Sequence, residues 1–321
     1  MTRRTLVGSL ALTAVSRMSA EDDNHTHREW RPRLGVLGKY TPANVQFAKA
    51  QGFTNMVLDA PPESSLNLSS ITDPQIEEIR STLRRNEMHV SAFQITVNHI
   101  DPDRAKREEV NKYFVRAIAV AGKLGIPYIG SASGKDDSKS FQQQVDEIVR
   151  LYNDKYFRAC EANHVRILWE PWPEGPNLAT SPIGYEALFK GFDDSRFVGL
   201  QYDPSHLVRQ FMDPIQTARD FVDKIYDVHL KDTEILWPVL RAGGIHPVNG
   251  AKWWRYRIPG MGSINWRDLF SILQDVGYNG AMSIEQEDPL YGADNNPGPD
   301  FSDEFKVGFI MAKRYLTQYV P

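Results

Sequence analysis

Four side chains of the types that bind metal ions stand at or near the ends of short apolar runs. They are Glu170, Asp203, His229 and Glu285, in the runs VRILWE, FVGLQYD, IYDVH and GAMSIE. Separations of 33, 26 and 56 residues leave room for at least one strand and one helix between neighbours. If the runs are parallel neighbouring strands, the four side chains meet at one rim of a sheet or barrel. Three carboxylates and one imidazole suit a hard or borderline divalent ion.

The elements that would position these side chains alternate along the chain from Pro32 onward. Short β-branched or aromatic runs predict strands, and segments with helical spacing lie between them. The predicted strands are Leu34–Leu37, Thr54–Leu58, Val90–Val97, Tyr128–Gly130, Arg166–Trp169, Val198–Tyr202, Asp227–Leu230 and Ala281–Ile284. The predicted helices include Asp73–Glu87, Asp101–Leu124, Phe141–Asn163 and Trp266–Val276. Eight alternations predict an α/β fold, a single-domain (β/α)8 TIM barrel over residues 32–321. The alternative, an open doubly wound sheet, would favour a glycine-rich phosphate turn that the first strand lacks.

Two long connections follow predicted strands. Thr233–Ile264 is the longest irregular region and is predicted to be an active-site loop, and Pro289–Pro299 follows the last strand. The aromatic cluster Trp253–Tyr256 lies in the first of them. It is interpreted either as a lid over a sugar or as a contact in a homo-oligomer, because aromatic residues and arginine are enriched in interfaces.

Composition excludes several classes of protein. A net charge of −4 and a pI near 6.1 over 321 residues give no electrostatic footprint for nucleic acid. No apolar run of 18 residues occurs, which predicts no membrane span in the mature protein. Residues 1–31 contain the pair Arg3-Arg4 before a mildly apolar stretch, as in a twin-arginine export signal. Export to the periplasm is therefore expected; the alternative is a disordered tail on a cytoplasmic protein.

A family resemblance appears in five ordered segments, WEPWPEG, YDPSH, VHLKD, RIPGMGSINW and MSIEQEDP. Together they resemble the sugar phosphate isomerase/epimerase family of xylose isomerase-like barrels, whose members include D-tagatose 3-epimerase and inosose dehydratase. The resemblance implies that Glu170, Asp203, His229 and Glu285 bind one divalent ion, Mn²⁺ by preference or Mg²⁺ or Co²⁺. It also implies that the two glutamates act as the acid/base pair.

The same resemblance suggests residues that contact substrate. His206 would donate to a substrate oxygen, or would cap the following segment. Arg257 would contact substrate oxygens through its guanidinium fork, or form a surface salt bridge. Trp172 stands where the family often has histidine, and it would supply an apolar wall for a sugar ring. Glu287 shares strand parity with Glu285 and is an alternative ligand.

These features predict a metal-dependent isomerase or epimerase acting on a small sugar or keto-sugar. A proton next to a carbonyl is too weakly acidic for a carboxylate alone, and a divalent ion stabilises the enediolate that forms. The same site could eliminate a hydroxyl group, so a lyase or dehydratase is the second hypothesis. A non-catalytic exported sugar-binding protein is the third. A nuclease related to endonuclease IV is disfavoured, because that family needs a three-zinc site with several further histidines.

Overall fold

The computed structural model describes residues 30–296 and 298–320, and ten strands occur within them. They are β1 (Arg33–Gly38), β2 (Asn55–Asp59), β3 (His89–Gln94), β4 (Tyr128–Ser131), β5 (Arg166–Trp169), β6 (Val198–Tyr202), β7 (Ile225–Leu230), β8 (Asp232–Ile235), β9 (Trp254–Arg257) and β10 (Ala281–Ile284). Eight of them close into a barrel in the order β1-β10-β7-β6-β5-β4-β3-β2, and every neighbouring pair is parallel. The predicted TIM barrel is therefore confirmed.

Eleven α-helices occur in the described residues, and those that alternate with the barrel strands cover the outside of the barrel. The eleven helices are α1 (Pro42–Ala50), α2 (Asp73–Arg85), α3 (Arg104–Leu124), α4 (Phe141–Leu151), α5 (Phe157–Asn163), α6 (Pro182–Gly191), α7 (Pro204–Val208), α8 (Pro214–Asp220), α9 (Trp237–Gly243), α10 (Trp266–Asp275) and α11 (Asp303–Leu316). Local sequence sets their ends. Thr72 caps α2 in a reciprocal capping box with Gln75, and α3 ends at Gly125, whose φ of 75° suits a residue without a Cβ. A π-helical turn, Tyr152–Tyr156, joins α4 to α5 inside the single helix predicted there.

The interior of the barrel beneath its carboxyl rim is polar. Asn55 on β2 donates to Ser91 on β3 and to Ser283 on β10, both at 2.9 Å. Gln201 on β6 donates to Asp227 on β7 at 3.0 Å. Two of these contacts join neighbouring strands and one joins β2 to β10 past β1, and the side chains that make them point into the barrel. The apolar core lies mainly between the barrel and the helices.

The region Thr233–Ile264 is more regular than predicted. β8 and β9 form an antiparallel pair in which Asp232 faces Arg257 and Ile235 faces Trp254, and α9 lies between the two strands. The expectation of an irregular loop here was wrong. The alternation in TEIL and WRYR is strand-like, but 18 residues separate β8 from β9, far beyond the two-residue loop that marks a hairpin.

The export signal predicted in residues 1–31 lies outside the described residues except for its last two. Among residues 30–296 and 298–320, no helix has both the length and the apolarity needed to cross a bilayer.

Candidate functional site

The carboxyl rim of the barrel brings the four proposed metal ligands together. Glu170 directly follows β5, Asp203 follows β6, His229 lies in β7 and Glu285 follows β10. One ligand atom from each lies within 4.8 Å of those of the other three. Glu287, the alternative ligand, is not part of this group. The four residues predicted at or near strand ends therefore lie together at the carboxyl rim of the barrel.

The protein fixes one oxygen of two of these carboxylates. Gln94, the last residue of β3, donates to Glu170 Oε2 at 2.7 Å. Asp203 caps α7 and accepts from the Ser205 backbone N–H through Oδ1 at 2.8 Å. Asp203 Oδ2 is buried and accepts no well-formed hydrogen bond from the described residues. Each carboxylate thus has one anchored oxygen and one that faces the cluster.

His229 faces the two glutamates through one ring nitrogen. Its Nδ1 lies 3.2 Å from Glu170 Oε1 and 3.2 Å from Glu285 Oε2. Burial lowers the pKa of His229, but the charges and hydrogen bonds of both glutamates outweigh burial and raise the pKa well above its usual value. Burial likewise raises the pKa of Glu170, yet hydrogen bonds from His206 and His229 hold it well below the usual value. The four donors therefore create a strongly negative field at a buried position.

Lys231 adds a buried ammonium group to this site. Its side chain is 1% exposed, and Nζ lies 2.8 Å from Glu285 Oε2 and 2.8 Å from Glu287 Oε2. Asp203 Oδ2 is 3.2 Å away, and the Tyr256 ring centroid is 4.4 Å away. Burial lowers the pKa of Lys231, but the surrounding carboxylates raise it well above its usual value. Lys231 directly follows β7 and stands two residues after His229, so the alternation of side chains along the strand is the signal that could have found it.

The donor set fits a divalent cation. Carboxylate and imidazole ligands lie about 2.0–2.6 Å from such an ion, so two ligands of one ion are separated by at most about 5 Å. The 4.8 Å limit within the cluster satisfies this condition. Asp203 Oδ2, buried without a well-formed hydrogen bond, is an acceptor that a cation would satisfy.

His206 lies beside the cluster. The side chain is buried, and Nε2 is 3.4 Å from both Glu170 Oε1 and Asp203 Oδ2. The Tyr256 hydroxyl group is 2.8 Å from His206 Nδ1, and Arg209 donates to that hydroxyl oxygen at 2.7 Å. This chain of contacts fixes the ring with one nitrogen toward the carboxylates. Tyr256 escaped prediction as an individual site residue because it lies on β9, in the region expected to be irregular.

Trp172 and Arg257 both contact acidic side chains of the protein. Trp172 donates through Nε1 to Glu174 at 3.2 Å. Arg257 is held by Glu234 and by Asp288, whose Oδ2 lies 2.8 Å from Arg257 Nε. Neither residue lines the cavity that opens beside Glu285. The ion pairs of Arg257 match one of its two predicted roles, and contact with substrate stays a prediction for both residues.

A cavity of about 520 Å³ opens beside the cluster, and Glu285 is the cluster residue that lines it. We call it the cleft; residues that define it include Lys39, Asp59, Glu174, Trp254, Tyr256, Glu285 and Glu287. Its wall on one side is β9, because Trp254, Arg255 and Tyr256 all line it. The connection after β10 forms another side through Pro289, Asp294 and Asn296. Volumes of roughly 300–1,000 Å³ are typical of small-molecule sites.

Comparisons with known proteins agree with this architecture. A model of the family of xylose isomerase-like TIM barrels matches residues 45–307. An inosose isomerase of Halalkalibacterium halodurans is 23% identical over 223 residues, which cover 69% of this chain and 74% of that relative. An inosose dehydratase of Klebsiella pneumoniae is 37% identical over 98 residues, 30% of this chain and 29% of the dehydratase. A crystal structure of D-psicose 3-epimerase in the presence of D-fructose has a TM-score of 0.64 at 16% identity, over 90% of this chain and 99% of that one.

Proposed function

Because the chain belongs to the xylose isomerase-like TIM barrel family, we propose that it is a divalent-metal-dependent isomerase or epimerase of a small keto-sugar. The observation that carries the proposal is the group of three carboxylates and one imidazole at the carboxyl rim of the barrel, one of which, Glu285, also lines the cleft. Similarity to an inosose isomerase and the fold shared with D-psicose 3-epimerase support the same class of reaction.

In the proposed reaction, Glu170 and Glu285 transfer the proton. Glu170 and Glu285 remove a proton next to the substrate carbonyl and return it, either on the opposite face or at the neighbouring carbon. Return on the opposite face inverts a stereocentre, and return at the neighbouring carbon interconverts aldose and ketose. Positioned proton transfer of this kind contributes roughly 10²–10⁴-fold. The bound ion, for which Mn²⁺ is our first choice and Mg²⁺ or Co²⁺ the alternatives, would supply Lewis-acid stabilisation of the enediolate charge.

His206 is the residue best placed to hold a substrate oxygen beside the two glutamates. Tyr256 and Arg209 fix its ring from behind, so its Nε2 stays directed at the cluster. A preorganised donor of this kind stabilises charge without having to reorient during the reaction.

Exchange of a substrate proton with solvent tests the proposal. Protein loaded with Mn²⁺ should incorporate deuterium from D₂O into a keto-sugar, followed by NMR. Glu170→Gln and Glu285→Gln should abolish this exchange. Glu174→Gln is the matched control, because Glu174 lines the cleft but pairs with Arg209 at 2.9 Å and lies outside the cluster.

Absence of exchange across a broad keto-sugar panel would count decisively against the proposal. Binding that persists in both glutamine variants, without turnover in the parent, would identify a sugar-binding protein instead.

Dehydration of a keto-sugar or inosose is the second candidate. Two observations favour it: the local similarity to an inosose dehydratase, and the ammonium of Lys231 beside Glu285. Elimination of a β-hydroxyl group needs a proton donor for the departing oxygen, and such groups are present at the site. Ultraviolet absorbance of an enone or diketone product would distinguish this reaction from isomerisation.

A further inference from the structure

Asp59 is a carboxylate on the wall of the cleft, and it does not belong to the metal-ligand group. Asp59 is the last residue of β2, and β2 lies four strands from β6 in either direction around the barrel. Asp59 therefore faces Asp203 across the mouth of the barrel. It has the same strand parity as Asn55, which points into the barrel interior. Asp59 accordingly lines the cleft together with Glu285.

Asp59 differs from the neighbouring carboxylates in having no partner. Glu174 is paired with Arg209 at 2.9 Å, and Glu285 and Glu287 each lie 2.8 Å from Lys231 Nζ. The half-buried carboxylate of Asp59 makes no hydrogen bond and no ion pair with any residue in the described part of the chain. A partly desolvated carboxylate without donors is costly. Hydroxyl groups of a bound ligand are the donors that this position lacks.

Asp59 lies among charges of both signs. Burial is the largest cause that raises the pKa of Asp59, to about 6; Lys39 opposes this shift, and Glu63 and Glu285 add to it. Lys39 itself donates to the Gly298 carbonyl oxygen at 3.1 Å, and Lys252 and Arg255 also line the cleft. A phosphate group placed directly against the Asp59 carboxylate would meet a like charge, whereas the hydroxyl groups of a neutral polyol would donate to it.

We propose that Asp59 recognises the end of the substrate remote from the metal-ligand group by accepting hydrogen bonds from sugar hydroxyl groups. In this way it selects neutral keto-sugars over their phosphate esters. This inference rests on the proposed function, and it assigns the substrate class of the same cleft.

The test compares Asp59→Asn with Glu63→Gln. Glu63 is the matched control, because it is an exposed acid near Asp59 that does not line the cleft. Loss of hydrogen bonds to a charged acceptor should raise KM and Kd for a neutral keto-sugar about tenfold to a hundredfold in Asp59→Asn. Glu63→Gln should leave both constants unchanged. The affinity for Mn²⁺, measured by calorimetry, should be the same in all three proteins, because Asp59 is not among the metal ligands.

The preference for neutral substrates gives a second readout. The parent protein should bind and turn over free keto-sugars better than their phosphate esters, and Asp59→Asn should narrow the difference. Unchanged sugar binding in Asp59→Asn, or a parent preference for phosphate esters, overturns the inference. If the parent binds keto-sugars without proton exchange, the proposed function fails. The sugar Kd of Asp59→Asn, compared with that of the parent, still decides the role of Asp59. If the parent binds no keto-sugar at all, both fail.

Discussion

Replacement of Lys231 by methionine should strongly destabilise the protein in the presence of a chelator. The ammonium lies within 3.2 Å of carboxylate oxygens of Asp203, Glu285 and Glu287. Methionine retains much of the volume of the lysine stem but removes the charge. Because the folded pKa of Lys231 is raised above the unfolded value of about 10.4, its contribution to stability is fully present at pH 7.5 and is lost only as pH rises through the folded pKa.

The size of the effect follows from the burial of the three partners. Glu287 has a side chain that is 45% exposed, so it can turn to solvent at little cost. Asp203 and Glu285 are 0% and 13% exposed, and they would remain as buried carboxylates without their cation. Breaking a buried pair by removing one partner costs about 3–5 kcal/mol. With an m-value of about 3 kcal/mol/M, at the upper end of the usual range because the chain is large, the urea midpoint should fall by about 1–2 M.

The assay is equilibrium unfolding in urea at pH 7.5, with EDTA and with Mn²⁺. Lys224→Met is the matched control: Lys224 forms ion pairs with the exposed carboxylates of Asp194 and Asp223, which are worth at most about 1 kcal/mol. Mn²⁺ should recover most of the loss in Lys231→Met, because a divalent ion offsets the same carboxylates and stabilises the state that binds it. If the two variants lost equal stability in EDTA, or if Mn²⁺ rescued neither, Lys231 would not be the counter-ion of this site.

Two further outcomes follow from buried polar side chains. Burial lowers the pKa of His99 to about 3, so between pH 6.5 and 3 the unfolded state binds more protons than the folded state. The free energy of unfolding therefore decreases as the pH is lowered, by up to about 1.4 kcal/mol per pH unit. His99→Asn should flatten this dependence in urea titrations between pH 6 and 4, and an unaltered slope would exclude His99 as its source. Gly130→Ala would force a methyl group against the side-chain oxygens of Gln94 and Gln201. Loss of the hydrogen bond from Gln94 to Glu170 should then cost about 1.5–3 kcal/mol and weaken Mn²⁺ binding in calorimetry; unchanged affinity would show that Gln94 does not position Glu170.

The barrel and its strand-end cluster were predictable because one rule connects them. In a parallel barrel, a polar residue that closes an apolar run must lie on the carboxyl rim. Glu170, Asp203 and Glu285 obey this rule directly. Asp59 obeys it as well, but the predicted strand Thr54–Leu58 stopped one residue short, and Asp59 was passed over. A boundary error of one residue was enough to hide a position on the cleft wall.

The groups that support the ligands were less accessible to sequence reasoning. Gln94 and Tyr256 lie 76 and 86 residues from Glu170 along the chain, and only barrel closure and the β8–β9 pairing bring them near it. Strand parity alone could point to Lys231. Hydrophobic periodicity locates elements, but it does not report which inward-facing polar side chains pair with one another.

The two glutamates of the site are held in different ways, although the sequence presents them as equivalent strand ends. Glu170 has Oε2 fixed by the amide of Gln94, and its Oε1 faces His229 at 3.2 Å. Glu285 instead meets both His229 and Lys231 through the same oxygen, Oε2. Lys231 is 1% exposed and also lies beside Asp203 and Glu287, so Glu285 shares its ammonium partner with two other carboxylates, whereas Glu170 has the Gln94 amide. Of the two glutamates, Glu285 is therefore the one whose charge environment depends directly on Lys231.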